Sequence, residues 1–519
     1  MAVKTIIKKS EYHDSVSLML VARDLAGQAG IEDAAVVMAT DANKSILEAA
    51  GLLTDAVKAA TANDLAIAVK ASTSQAAEDA LANVEALFAQ KAGGGDTADF
   101  KPKTIRGALS AAPDLNVAVI SVAGRYAADE AWEALTRGLH VLLFSDNVSL
   151  EDEIALKQYA RDHGLLLMGP GAGTAILNNI ALGFANVIPA GSVGVVSAAG
   201  TGLQEVSTLV AKSGLGLTQG IGTGGRDLKK EVGGIMMLEG LKALQQDPAT
   251  KVIALVSKPP APEVVELILK QVGLSDKPTI VCFMGGDMSS VKKVRNAIPA
   301  RTLQEGGLMA ARAAGADVGD IEALIAEENA QLQRHAHELK PTLQPQQQYL
   351  RGLFSGGTLC YEAQVIWRDM LDRPVYSNAP LPGEPALEDS TKSRDHTTVD
   401  LGEEEFTVGR PHPMIDNDLR IRRLLQEAAD PEVAVINLDV VIGYGAHPDP
   451  AAELGEAIEQ ARKIAGDAGR QLNFVASVTG TEQDPQGLQH TISTLERAGV
   501  IVCNSNAAAA RLTAMIVSK

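Results

Sequence analysis

Apolar and polar positions follow two rhythms along this chain. Short apolar runs at residues 4–8, 34–39, 65–69, 117–122, 140–144 and 165–168 read as strands. Between them, Ala-rich stretches at 75–90, 127–137 and 150–163 repeat their apolar residues at helical spacing. Strands separated by helices predict βαβ units around a parallel sheet. These elements make a first domain, residues 1–190, interrupted by the flexible break Gly93-Gly94-Gly95-Asp96. A second unit, 191–319, has strands at 193–197, 217–220, 252–257 and 279–283. Residues 320–348 read as a linker: an acidic helix with solvated His335 and His337, then Pro341, Pro345 and the glutamines 346–348. A third unit, 349–519, has strands at 350–355, 397–401, 433–441, 472–478 and 500–503.

The second and third units carry the same landmarks in the same order. Gly194-Val195-Val196-Ser197 precedes Gly200-Thr201 and Glu205, and Gly352-Leu353-Phe354-Ser355 precedes Gly357-Thr358 and Glu362. In each, a strand ends in Ser, a Gly-Thr follows, and a Glu stands four residues after the Thr. An Asp-Pro pair, Asp247-Pro248 or Asp430-Pro431, then precedes a strand in each. This order argues for a duplicated fold.

Composition narrows the picture. Of 519 residues, 46% are hydrophobic and 3% aromatic, so the cores rest on Ala, Val, Leu and Ile, which suits sheets covered by helices on both faces. A net charge of −18 argues against nucleic acid as a partner. The three cysteines, Cys282, Cys360 and Cys503, form no C-x-x-C pair, so neither a disulfide framework nor a zinc knuckle is indicated. Cys360 stands in the first turn of a helix, where a thiol's pKa falls, unless it is a buried structural thiol. No pair of histidines has zinc-ligand spacing, and no bound transition metal is expected. No apolar run is long enough for a membrane span, and the start of the chain does not read as a signal peptide, so the expected location is cytoplasmic.

Two turns carry the candidate chemistry. Ser197-Ala198-Ala199-Gly200-Thr201-Gly202 follows a strand and opens a helix, and Ser355-Gly356-Gly357-Thr358 does the same. Small residues let backbone amides approach an anion, and a helix N-terminus adds partial positive charge. Neither turn is a Walker A loop. Gly224, Gly225 and Arg226 form a further glycine-rich segment, whose arginine either clamps a phosphate or carboxylate or belongs to a surface loop with Asp227. Lys258 follows a strand and precedes Pro259-Pro260, which suits either anion binding or simple solvation. Gly409-Arg410-Pro411-His412-Pro413-Met414-Ile415-Asp416 places Arg410, His412 and Asp416 together. Asp439 lies within an apolar strand, where an acid is paired or faces a site. His447 follows that strand in Gly443-Tyr444-Gly445-Ala446-His447-Pro448. Either histidine suits a general acid–base or an electrophile.

The segments 15–19, 143–149, 222–228, 351–360, 411–416 and 443–450 together resemble the FdrA family of acyl-CoA-synthetase-like proteins, nearly end to end. That family in turn resembles succinyl-CoA synthetase. The resemblance implies an α/β fold: a Rossmann-like, CoA-binding-type domain followed by two flavodoxin-like ligase domains, the last similar to the end of the synthetase β subunit. It also implies a phosphate held between two helix N-termini, here at 200–202 and 356–358. Three features depart from the synthetase. The loop that carries its phosphorylated histidine reads Met284-Gly285-Gly286-Asp287-Met288, the CoA loop reads Thr40-Asp41-Ala42-Asn43-Lys44, and there is no ATP-grasp domain. Gly169-Pro170-Gly171-Ala172-Gly173-Thr174 keeps part of the α-subunit motif.

The first expectation from this resemblance is a subunit of an oxamate-type carbamoyltransferase. It would bind carbamoyl phosphate at the paired N-termini, with companion subunits and no required cofactor. Arg226, Arg410 or Lys258 would add charge, and His412 or His447 would polarise the carbonyl or move a proton. The alternative is an NDP-forming acyl-CoA synthetase that uses CoA and takes its nucleotide through a partner subunit. A non-catalytic scaffold is the third reading.

Overall fold

The computed structural model describes residues 2–11, 15–40, 43–44, 47–48, 50–92, 102–407 and 410–518. The break at 93–96 lies outside them, as do Asp41, Ala42 and Gly409. Among the described residues, no helix is long and apolar enough to cross a membrane. The chain forms two compact units, one of residues 1–115, 121–127 and 404–411, the other of 116–120, 128–403 and 412–519.

The first unit corrects the expected parallel sheet. Its strands Ala2–Lys8, Ile31–Met38 and Leu65–Ala71 form an antiparallel sheet with Leu65–Ala71 in the centre. Alternation sorts that central strand between two cores. Leu65, Ile67, Val69 and Ala71 pack with Val21 and Leu25 of helix Ser15–Ala26 and with Ala77 and Ala80 of helix Ser74–Ala82. Ala66 and Ala68 pack with Leu47, Leu52 and Val57 on the other side. A strand covered on both faces loses its polar positions, so an antiparallel strand takes on the uniformly apolar look of a parallel one. The predicted helix at 75–90 is two helices, Ser74–Ala82 and Val84–Ala92.

The second unit holds three sheets. Val117–Ile120, His140–Leu143 and Leu167–Met168 pair in parallel, as the alternation of strands and helices there predicts. The next sheet runs Ala297–Pro299, Thr279–Phe283, Val252–Ser257, Ala190–Ser197 and Leu217–Gly222 in parallel, with the hairpin Thr174–Leu177 and Ile180–Gly183 added antiparallel at one edge. The third runs Val375–Ser377, His396–Asp400, Tyr349–Phe354, Val433–Val441, Asn473–Thr479 and Val500–Cys503, all parallel. With Val375–Ser377 set aside as an added edge, both parallel sets have the flavodoxin order 2-1-3-4-5. Such sheets bind ligands at strand C-termini beside the first strand. Ser197 ends one of those two first strands, and Ser355 follows the other directly.

The two landmark glutamates join the copies. Glu205 and Glu362 are each 1% exposed. Glu205 Oε1 accepts the amide of Asn506 at 3.1 Å, and its Oε2 accepts the Thr479 hydroxyl at 2.5 Å. Glu362 Oε1 accepts the amide of Leu303 at 2.6 Å, and its Oε2 accepts Asn506 Nδ2 at 2.8 Å. Asn506 and Leu303 open the last helix of their respective copies, Asn506–Val517 and Leu303–Ala313. Each copy therefore supplies an acceptor for an otherwise orphaned first-turn amide of the other. Around these bonds one continuous core runs through Leu203, Val206 and Leu303 of one copy and Leu359, Trp367 and Ala507 of the other.

The segment 320–348 is not a free linker. Helix Ile321–Leu339 buries Ile321, Leu332 and Ala336, and Leu332 and Ala336 join that core. Glu328 pairs with Arg511 of the last helix at 2.7 Å. His335 and His337 are exposed, as expected.

Replacing Glu205 with Ala strands a buried amide and a hydroxyl. The expected cost is about 2–5 kcal/mol, read as a lower urea midpoint. Burial, reinforced by the charge of Glu205, raises the Glu362 carboxyl from 4.5 to about 7, despite the hydrogen bond from Asn506. The folded state then binds the extra proton, so this group's contribution to stability falls as pH rises from about 4.5 to about 7. Urea midpoints across that window should lose this component in Glu362→Gln.

Candidate functional site

The two predicted turns meet. Helix Gly200–Lys212 follows Ala199, and helix Gly357–Met370 follows Gly356; neither N-cap residue makes a side-chain cap. The first intrahelical bonds are Leu203 N to Ala199 O and Cys360 N to Gly356 O. The amides of Gly200, Thr201 and Gly202, and of Gly357 and Thr358, precede them and so have no acceptor within their own helix. A Cβ on Gly356 would lie 2.7 Å from Thr201 Cγ2, and one on Gly202 would lie 3.0 Å from Thr358 Cγ2. The sequence needs glycine at both places because the first turns are in contact. Two positive helix ends side by side favour an anion.

Asp439 builds this arrangement from beneath. It is fully buried, and its Oδ1 accepts the Ser355 amide at 2.8 Å while its Oδ2 accepts the Gly356 amide at 2.7 Å. The Ser355 hydroxyl donates to Oδ2 at 3.1 Å, and Arg420 donates to Oδ1 at 2.8 Å. The carboxylate thus shapes the turn and uses the amides just before the helix, which corrects the expectation of a catalytic Asp439. Ser197 acts similarly on its own turn: its hydroxyl donates to Ala199 O at 2.7 Å and accepts the Ala199 amide.

Lys258 is exposed and comes from the first copy, with Nζ 5.4 Å from the ring centre of Tyr361 in the second copy's helix. Its charge is felt by Asp400 and Cys360. Asp400, which sequence reasoning did not single out, is 2% exposed at the end of its strand. Its Oδ2 lies 2.5 Å from where a Cβ on Gly357 would be. The readable signal was an acid at the C-terminal end of a strand beside the first strand. Burial raises the carboxyl to about 7, helped by Glu403 and Asp439 and opposed by Lys258 and the Gly402 amide.

His412 reaches the same turn. A Cβ on Gly402 would lie 2.9 Å from both His412 Nε2 and Ser355 O, and 3.2 Å from Asp400 Oδ1. The Met414 amide donates to His412 Nδ1 at 3.2 Å, which leaves Nε2 as the protonated nitrogen of a neutral ring. Burial lowers its pKa to about 4, so the ring stays neutral at physiological pH. Loop 284–288 also approaches: a Cβ on Gly285 would lie 3.1 Å from Val365 Cγ2 and 3.7 Å from the Tyr361 hydroxyl.

Other expected residues serve the fold. Arg226 is taken up by Glu153 at 2.7 Å and donates to Val148 O at 2.8 Å. Its neighbour Asp227 is buried, pairs with Lys157 at 2.9 Å and accepts the amides of Met236 and Met237. This segment is therefore neither an anion clamp nor a plain surface loop. Gly224 packs on the 169–170 turn, a Cβ there lying 2.5 Å from Pro170 O, and Gly225 is exposed. Both nitrogens of His447 are engaged: Nδ1 accepts the Asp449 amide at 3.1 Å and Nε2 lies 3.2 Å from Glu453. Asp416 accepts the amide of Asp418 at the start of helix Asp418–Ala429. Arg410 is exposed, and its amide donates to Thr407 O at 3.2 Å. Cys360 is buried, and burial pushes its thiol up, overriding the helix end that would lower it.

Substituting Asp439 with Ala strands the buried Arg420 charge and two amides. The expected loss is about 3–5 kcal/mol of stability in urea unfolding. Gly356→Ala, which drives a methyl into Thr201, is expected to cost about 1–3 kcal/mol and to abolish anion binding at the paired turns, measured by calorimetry.

Two family models match parts of the chain. The family model "CoA-ligase" matches residues 353–516, and "AllF, heavy metal-associated domain" matches residues 1–102. Residues 1–102 contain no cysteine and one histidine, His13, so the thiolates that soft metals prefer are missing there. Among the described residues, no three His, Cys, Asp or Glu are grouped to hold a metal. The succinate–CoA ligase α subunit of Methanothermobacter thermautotrophicus is 25% identical over 28% of this chain and 49% of its own length. The ADP-forming sulfoacetate-CoA ligase subunit SqwL of an Acholeplasma species is 26% identical over 33% of this chain and 59% of its own. The chain thus spans about half of these ligase subunits. The uncharacterized protein YahF of Escherichia coli K12 is 43% identical over 98% of this chain and 97% of its own length. With that end-to-end match and a CoA-ligase domain, the chain belongs to the FdrA family of acyl-CoA-synthetase-like proteins.

Proposed function

We propose that the paired helix N-termini bind the phosphoryl group of an acyl phosphate and that the chain passes the acyl group to or from CoA, in the manner of an NDP-forming acyl-CoA synthetase. The observation that carries this reading is the contact between two uncapped first turns, one from each copy. An acyl phosphate places its charge on the phosphoryl oxygens, and amide dipoles fixed in advance stabilise that charge without reorganisation. Lys258 adds a positive charge over the Tyr361 ring, and neutral His412 offers Nε2–H beside Gly402. The CoA-ligase match and the ligase relatives support the reading, and nucleotide binding falls to a companion chain.

The carbamoyltransferase expectation ranks second, because the relatives with named activities are CoA ligases. One observation keeps it in view: loop 284–288 approaches Tyr361 but holds no histidine. Carbamoyl phosphate is already a mixed anhydride, so its transfer needs no phosphohistidine. Both readings use the same cradle and differ in the acceptor.

Thermal unfolding with acetyl phosphate, carbamoyl phosphate and CoA added separately, followed by a thioester assay on the mixtures, tests the choice. A ligand at about a hundred times its Kd stabilises the native state by about 2.7 kcal/mol. Shifts with acetyl phosphate and CoA, with thioester formed, are the expected result. A shift with carbamoyl phosphate alone would put carbamoyl transfer first, and no shift with either phosphate would overturn the shared cradle. Lys258→Ala is expected to weaken acetyl phosphate binding about tenfold, the loss of one charge-assisted contact.

A further inference from the structure

An acid stands beside the helix start where the phosphoryl group would bind. Asp400 is 2% exposed, and the Gly402 amide donates to its Oδ1 at 3.0 Å. Its Oδ2 lies beneath Gly357, the first residue of helix Gly357–Met370, and no hydrogen bond between described residues reaches that oxygen. The charged and titratable groups around it come from several elements. Lys258 belongs to the first copy, Cys360 to the helix, Asp439 to the third strand of the sheet and Glu403 to the following turn, while His412 closes on Gly402.

A helix N-terminus carries the equivalent of about half a positive charge. It stabilises one anion well, and two anions within a few ångströms oppose each other's ionisation. A carboxylate at Asp400 and a phosphoryl dianion at Gly357 therefore compete for the same positive helix end. The competition ends when the carboxyl is protonated, and a protonated carboxyl can donate a hydrogen bond to the phosphoryl oxygen it faces.

On the reading of the cradle given above, we propose that Asp400 is its proton-carrying catalytic residue, taking up a proton as the phosphoryl dianion binds and giving it to the phosphate that leaves. In the forward step, CoA enters as thiolate, its proton having passed to water. Sulfur attacks the acyl carbon, the C–S bond forms, and the C–O bond to phosphate breaks. The departing oxygen takes the Asp400 proton, which gives hydrogen phosphate, the thioester and an Asp400 carboxylate. That carboxylate again competes for the N-terminus and favours release of the product.

The test is calorimetric titration of the full-length chain with sodium sulfate, which stays a dianion where phosphate itself would titrate. Measurements between about pH 5.5 and 8.5, in buffers of different ionisation enthalpy, give affinity and proton uptake together. Asp400 titrates near 7 in the unliganded chain. Affinity should therefore fall about tenfold for each pH unit above that point, with up to one proton taken up on binding. Asp400→Asn should bind sulfate with no such slope and no proton uptake. A flat wild-type profile without proton uptake, or an equal slope in Asp400→Asn, would overturn the proposal. Proton uptake is read in the wild-type chain, so the test stands even if the variant folds poorly. Absence of sulfate binding by either protein at every pH would overturn the cradle itself, a different failure from a flat profile.

Discussion

Two helices that begin without side-chain caps and touch at their first turns set the terms for the rest of the second unit. Neither helix can be completed from its own sequence, because Ala199 and Gly356 offer no capping oxygen. The positive ends would repel each other unless something held them together, and the two glutamates do. Glu205 accepts from the first amide of one terminal helix and Glu362 from that of the other, each across the boundary between copies. These are buried, charge-assisted bonds that reward only the paired arrangement. The duplicated fold thus places its cradle and its clasp on the same two helices, one turn apart.

The cradle is specialised beneath its pseudo-symmetry. In the first copy, Ser197 folds its hydroxyl back onto its own turn. In the second, Asp439 and Arg420 carry the turn from below, and Asp400 waits beside the helix start. One helix end therefore faces a neutral turn and the other a titratable acid. An ordinary carboxylate there would be ionised and would weaken anion binding. Burial shifts Asp400 into the range where a bound dianion can decide its protonation.

Much of this was legible in the chain because the relevant signals are local. The strand–Ser–Gly–Thr–Glu order repeats in residues 194–205 and 352–362, and both halves of it have structural meaning: the Gly-Thr makes the contact and the Glu makes the clasp. What was not legible depends on partners distant in sequence. Asp439 looked catalytic because it is an acid in an apolar strand, but its partners lie 84 residues away at Ser355 and 19 away at Arg420. Arg226 looked like an anion clamp, yet Glu153 had already claimed it. The first sheet read as parallel because helices cover both faces of Leu65–Ala71 and remove the alternation that marks antiparallel strands. The supposed linker read as solvated because Leu332 and Ala336 are few among many polar residues, although those two bind it to the core.

The most direct test of the central claim is a crystal structure of the chain soaked with phosphate. The account predicts an anion at the junction of the two first turns, within hydrogen-bond distance of amides from both 200–202 and 357–358, with Lys258 turned toward it. An anion held by one helix alone, or a cradle that stays empty while phosphate binds elsewhere, would contradict the account.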